Sequence, residues 1–232
     1  MTQLSIGITA ARLARRLGRF GRRPSDQGSR SPSAIFDHGY SEIALPWDIG
    51  RPQPEIVRLA EGGGLRGTIL DIGCGSGENV LFLRASGLEA TGLDLSAKAI
   101  EIAHRKASER GLDAQFVVGD ALRLGTLEKT YDTILDCGLF HLFARQERSK
   151  LASSVAGALK PGGSYVILTV SSENPPGPWP RGETAEEITD VFQPGWILDF
   201  IRPARFDTVF EEAAASDGLS AWLASFHRSA RA

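Results

Sequence analysis

At 232 residues the chain can bury one large core without disulfide or metal staples. It is 42% hydrophobic and 23% charged, the balance of a soluble globular protein, and no apolar run approaches the ~18–20 residues of a membrane-spanning helix. The net charge of −2 is unevenly spread: residues 1–35 carry seven Arg against Asp26, a charge of +6, which leaves −8 on the remainder. An acidic body lacks the basic patch that a nucleic-acid partner requires.

Residues 1–33 are expected to form a basic, disordered leader ahead of one domain spanning residues 34–232. Ile6 to Phe20 has the pattern of a basic amphipathic helix, and Arg22 to Ser33 is rich in Pro, Ser, Gly and Arg. An organellar transit peptide, a membrane-surface helix and a dispensable extension are all compatible with that composition. Next comes Leu45-Pro-Trp-Asp-Ile-Gly-Arg-Pro-Gln-Pro54, whose prolines forbid a regular helix or central strand. A short helix is expected from Pro54 to Glu61.

From Gly67 strands and helices alternate. Strands are expected at Thr68–Ile72, Ala90–Leu93, Gln115–Val118, Tyr131–Cys137 and Tyr165–Val170. Helices are expected at Glu78–Ala85, at Ala97–Arg110 behind an N-cap at Ser96, and at Gln146–Leu159, stopped by Lys160-Pro-Gly-Gly163. This alternation predicts an α/β fold, a doubly wound, mostly parallel sheet with helices on both faces. Trp196–Ile201 and Ser220–Phe226 read as two further strands that pair antiparallel at the sheet edge.

The strongest motif is Asp71-Ile-Gly73-Cys-Gly75-Ser-Gly77-Glu-Asn79, between an expected strand and an expected helix. Ligands of open α/β sheets bind at that end of the strands. The spacing departs from the dinucleotide fingerprint GxGxxG, because Glu78 stands where the third glycine belongs. An acid at that helix start opposes a pyrophosphate, so a cofactor with a cationic end suits the loop better. S-adenosylmethionine carries an ammonium and a sulfonium and no phosphate. Asp94 ends the second strand and can accept both ribose hydroxyls, a feature that NAD would share. Asp120 follows the third strand, where it can accept from an adenine amino group beside Ala121. Either acid read alone is equally a strand-end residue or a helix cap.

With these residues in place, the sequence resembles the class I S-adenosylmethionine-dependent methyltransferases. The resemblance runs through Asp71 to Gly77, Gly92-Leu-Asp94, Gly119-Asp120-Ala121, Tyr131 to Asp136 and Leu159-Lys-Pro-Gly-Gly163, over roughly residues 66–170. It implies a seven-stranded, Rossmann-like sheet with an antiparallel last strand. It also implies a cofactor held by Trp47, Asp71, Gly73, Cys74, Gly75, Gly77, Asp94, Leu95, Asp120, Ala121, Asp136 and Cys137. The lead-in around Trp47 looks like that of the thiopurine-methyltransferase-like group. Leu139-Phe-His141, Trp196 to Arg205 and the Ala221-to-His227 ending are similar to bacterial heterocyclic-toxin methyltransferases. That narrower likeness implies N- or O-methylation of a small aromatic heterocycle such as a quinolone, a modification or detoxification. The Arg-rich leader has no counterpart in the resemblance.

Methyl transfer from a sulfonium is an in-line displacement, so the protein mainly aligns donor and acceptor and excludes water. Trp47, Phe140, Phe143, Trp179 and Trp196 are candidates for an aromatic wall, with Phe140, His141, Trp179 and Trp196 expected against the acceptor. Each of these aromatics has ordinary core packing as its alternative. His141 is the one placed candidate for a general base, or else a structural histidine. The loop Asn174-Pro-Pro-Gly-Pro-Trp-Pro180 reads as pocket lining with Trp179 as a gate, or as plain surface. Cys74 and Cys137 are far apart with no CxxC and no Cys/His cluster, so no metal site is expected and a cytoplasmic, reducing setting is. A non-catalytic S-adenosylmethionine-binding protein and an NAD-dependent oxidoreductase are the alternatives.

Overall fold

The apolar runs lie edge to edge because most of them must bury both faces, which a parallel sheet between helices allows. The computed structural model describes residues 31–42, 45–177, 179–192, 194–210 and 217–229. Its strands are β1 (Thr68–Ile72), β2 (Glu89–Asp94), β3 (Gln115–Val118), β4 (Tyr131–Cys137), β5 (Leu159–Val170), β6 (Trp196–Phe206) and β7 (Leu219–Arg228). They form one sheet in the order β3-β2-β1-β4-β5-β7-β6. The first five are parallel, and β7 pairs antiparallel with both β5 and β6. The doubly wound sheet and its antiparallel C-terminal pair are as expected from the sequence.

The helices are α1 (Pro32–Glu42), α2 (Pro54–Glu61), α3 (Glu78–Ala85), α4 (Ala97–Glu109), α5 (Arg145–Ala158) and α6 (Ala185–Thr189), with 3-10 turns at Ala121–Leu127 and Phe140–Leu142. Side chains alternate across each strand, so the sheet divides the core in two. On one face, Ile69, Leu135, Val166, Leu168 and Leu223 pack under Ile56 of α2, Val80 and Leu83 of α3, and Ile100 and Ala103 of α4. On the other, Leu70, Ile72, Ile134 and Ile167 pack against Leu151 and Val155 of α5. Ser96 caps α4 as expected, its hydroxyl accepting from the Ala99 N–H at 3.0 Å.

Several elements differ from expectation. The expected leader over residues 1–33 lies outside the described residues as far as residue 30, and α1 begins at Pro32, inside that boundary. Helix α5 stops where expected, but β5 starts at once at Leu159. The ladder with β4 then shifts register between Tyr131 and Thr133, which absorbs Lys160-Pro-Gly-Gly163 as an irregularity. Strand β6 continues through Pro203 to Phe206, because an edge strand tolerates a missing donor.

Strand order reverses at β1, with β2 on one side and β4 on the other. The carboxyl ends of β1 and β4 therefore open a crevice at the switch point. At the far end of the sheet, Phe192 plugs an aromatic cluster. Its ring stacks on Phe226 at 4.2 Å and on Phe140 at 6.2 Å, and meets Tyr165 and Trp196 edge-on at 5.7 and 5.5 Å. Phe192→Ala should lower unfolding free energy by about 3–5 kcal/mol in urea titrations. A loss under ~1 kcal/mol would contradict the central place given to this ring.

Candidate active site

The chain leaves β1 at Ile72 and turns into α3 within a few residues. Gly73, Gly75 and Gly77 take φ of 69°, 54° and 87°, a region that side chains oppose. Crowding adds to this at Gly75, where a Cβ would stand 2.6 Å from the Tyr40 hydroxyl. The loop is tied to β2: the Gly73 and Cys74 N–H groups donate to the Leu93 carbonyl at 2.7 and 3.1 Å. Asp94 completes the joint, one oxygen accepting from the Gly75 N–H at 2.9 Å and the other from the Ser96 N–H at 2.8 Å. Each of those oxygens keeps a lone pair for a further donor.

Beneath the loop lies a cluster of carboxyl groups. Asp71 is fully buried with no counter-charge and no hydrogen bond of ordinary length to either oxygen; the Asn79 amide is the one polar side chain close enough to offset part of its burial. Burial, then the charges of Asp136 and Asp94, push its carboxyl well above the ordinary range. A buried acid without a counter-charge is costly unless a donor or cation meets it. These acceptor oxygens thus fit a group with a cationic end, and a pyrophosphate would bring charge of the wrong sign. Glu78 is not what decides this, contrary to the sequence argument. It turns away to α4, meeting Lys106 at 2.8 Å and Arg110 through two bonds of 2.8 Å.

Asp136, expected among the cofactor ligands, spends its side chain inward. One oxygen accepts from the Leu139 and Phe140 N–H groups at 2.9 and 3.1 Å, the other from the Tyr165 hydroxyl at 2.8 Å. Burial raises it to about 6 against those bonds. It builds the turn after β4. Asp120 caps the following 3-10 turn, accepting from the Leu122 N–H at 2.9 Å, and its other oxygen has no protein partner among the described residues. Ala121 is buried beside it, and Leu95 lies half-buried after β2. Cys74 sits buried below the loop and Cys137 half-buried at the end of β4; burial pushes both thiols up.

Two segments remote in sequence close the crevice. Asp37 of α1 accepts from the Ser96 hydroxyl at 2.6 Å and the Lys98 N–H at 3.0 Å, docking α1 on the start of α4. That places Tyr40 over the glycine loop, where its hydroxyl accepts from the Trp47 indole at 3.3 Å. The lead-in then crosses to the end of β6. Val209 N–H and the Thr208 hydroxyl both donate to the Pro46 carbonyl, and Gln53 and Asp207 exchange two bonds of 2.9 Å. Phe206 and Phe210 thereby join Trp47 and Trp179 in the core of that sheet face. Trp179 meets Phe210 at 6.2 Å, and His141 meets Phe206 at 6.1 Å. Tyr40, Phe206 and Phe210 were not singled out from sequence; the pairing of residues 46 and 208–209 has no local signature.

Two expected acceptor contacts are corrected. Phe140 is fully buried under Arg148, stacked on Phe192, and lines no opening. Trp196 pairs with Arg228 next to the Ser164–His227 rung, at the amino end of β5 and away from the crevice. His141 does stand at the carboxyl edge, but burial, then Arg148, lowers it to about 3, a weak base. Glu183, paired with Arg148, is raised by burial to about 7.

Asp71 should make stability fall with rising pH. Its folded-state pKa is raised, so its contribution is present below the unfolded value near pH 4 and is lost as pH rises toward the folded value. In the absence of ligand, Asp71→Asn should melt at higher temperature than the parent at pH 7–8, with the gap closing near pH 4. A variant that melts lower at pH 7–8 would show that Asp71 is charge-compensated.

A family model described as a methyltransferase domain matches residues 69–163. The chain is 34% identical over 203 residues to a Mycobacteroides abscessus 2-heptyl-1-hydroxyquinolin-4(1H)-one methyltransferase, covering 79% of this chain and 88% of that protein. It is 30% identical over 169 residues to an Arabidopsis thaliana probable thiol methyltransferase 2, covering 72% and 74%. A solved structure concerned with conversion of a disulfide bond into a thioacetal group during echinomycin biosynthesis superposes with a TM-score of 0.77 at 35% identity. That match covers 86% of this chain and 94% of the other. Together with a glycine loop built over a buried acid that lacks a counter-charge, these matches show that the chain belongs to the class I S-adenosylmethionine-dependent methyltransferases.

Proposed function

We propose that this methyltransferase acts on a nitrogen or oxygen of a small aromatic heterocycle. The observation that carries the reading is the aromatic wall at the carboxyl edge, where Trp47, Trp179, Phe206 and Phe210 come from separate segments to one side of the sheet. Such a wall suits a flat acceptor and keeps water from the reacting centre. The likeness to the Mycobacteroides methyltransferase of a bicyclic hydroxyquinolone supports it.

When bound, S-adenosylmethionine supplies a methyl group already activated on a sulfonium. The protein's part is alignment. In this reading Asp71 attracts the cationic amino-acid end above the loop of Gly73, Cys74, Gly75 and Gly77. Asp94, beside Leu95, accepts the ribose hydroxyls, and the unpartnered oxygen of Asp120 accepts from the adenine edge next to Ala121. Cys137 backs the centre at the end of β4, while Trp47 and Tyr40 close over the cofactor. Trp179 walls the acceptor side on a loop held firmly at its base. Asn174 donates there to the Ser171 and Ser220 carbonyls at 2.8 and 2.7 Å and accepts from the Ser220 N–H at 2.8 Å.

A sulfur acceptor is the second reading, favoured by the probable thiol methyltransferase among the relatives. Incubation with S-adenosylmethionine and a panel of hydroxyquinolones and thiophenols, read by mass spectrometry, separates the two. Methylated quinolones are expected; methylated thiols alone would establish the second reading. Turnover of neither, in a protein that binds the cofactor, would reject both. Asp94→Ala should raise the cofactor Kd roughly 10- to 100-fold, the size of one or two hydrogen bonds to a charged group. An unchanged Kd by calorimetry would remove Asp94 from the ribose role.

A further inference from the structure

Strand β4 ends opposite Leu168, two residues before β5 itself ends at Val170. The Gly138 N–H still reaches the Leu168 carbonyl at 2.9 Å, but the Val170 N–H, farther along β5, has no strand beside it. His141 supplies the missing acceptor, with the Val170 N–H donating to Nδ1 at 3.3 Å. A main-chain N–H has only a proton to offer, so Nδ1 keeps its lone pair and the neutral ring carries its hydrogen on Nε2. The Thr169 hydroxyl lies 3.3 Å from the same nitrogen and donates to Glu183 at 3.1 Å, while Glu183 pairs with Arg148. Nε2 has no protein partner among the described residues and is not a sealed atom. The ring lines a cavity of about 270 Å³ whose charged groups are three ion-paired guanidiniums, Arg148 with Glu183, Arg181 with Glu187 and Arg145 with Asp190, so the ring nitrogen is a donor there that has no protein acceptor among the described residues.

We propose that His141 is an Nε2–H donor to the acceptor rather than its base, and that the site therefore takes acceptors that arrive as anions, N-hydroxy heteroaromatics foremost. This rests on the heterocycle reading above. The step needs no proton transfer: an oxyanion lone pair forms the O–CH₃ bond, the S–CH₃ bond breaks, and its electron pair neutralises the sulfonium. Negative charge on the oxygen fades as the methyl group arrives, so the Nε2–H bond is strongest before reaction. It therefore contributes to binding more than to turnover. The weak basicity of this ring agrees with that role.

The test uses the full chain with saturating S-adenosylmethionine and N-hydroxyquinolones, hydroxypyridones and phenols of graded acidity, after melts confirm that each variant folds. The pH inflection of kcat/KM should follow each acceptor's own pKa. His141→Ala should raise KM about tenfold with kcat changed less than about threefold, and His141→Gln, an amide donor without basicity, should recover most of the KM. An inflection common to all acceptors, with kcat lost by about 100-fold or more in both variants, would make His141 a base and overturn the proposal. Long-range ¹H–¹⁵N spectra read the tautomer without any acceptor: a proton on Nε2 is expected, and one on Nδ1 would also overturn it. Failure to methylate any heterocycle would reject the acceptor class, while those spectra still decide the assignment of His141.

Discussion

An acid buried without a counter-charge organises this molecule. Asp71 sits in β1 with no counter-charge; burial and then the charges of Asp136 and Asp94 raise its pKa, and only the Asn79 amide works against them. The fold holds these carboxyl groups together because each is anchored to something else: Asp94 to loop and cap amides, Asp136 to the turn after β4 and to Tyr165. Asp71 alone is left over. A site of this kind is unfavourable when empty of charge and favourable toward a cation, which separates it from phosphate-binding glycine loops on similar sheets.

The aromatic side of the crevice depends on chain geometry that is entirely non-local. The lead-in and the segment after β6 meet through Pro46 with Thr208 and Val209, and through Gln53 with Asp207. This strap brings aromatic side chains from the two ends of the domain over one crevice. The Pro46 carbonyl, outside any helix, accepts two of the strap's bonds, and the Asp207 carbonyl and the Gln53 side chain accept the other two. The histidine after β4 belongs to the same logic, since a strand that stops early leaves an amide on β5 for a side chain to satisfy.

Much of this was legible in the sequence, for physical reasons that differ by element. The parallel core could be read because Thr68–Ile72 and Tyr131–Cys137 are short apolar runs bounded by glycine and charge. The glycine loop could be read because three positive-φ positions admit little else. Phe140 and Trp196 were misplaced because an aromatic residue near a motif looks the same whether it faces ligand or core; burial under Arg148 and the reach of β6 decided it. Glu78 misled because its partners, Lys106 and Arg110, lie about thirty residues away on α4. Tyr40 was invisible because α1 docks through Asp37 on the α4 cap, a tertiary contact.

The central proposal is that the buried Asp71 carboxyl, its pKa raised by burial and by the charges of Asp136 and Asp94, becomes the seat of the cofactor's cation. Calorimetric titration of S-adenosylmethionine at neutral pH, in two buffers of different ionisation enthalpy, tests this directly. The account predicts net proton release on binding, seen as a buffer-dependent heat in the parent and abolished in Asp71→Asn. The same heat in both buffers for the parent protein would contradict it.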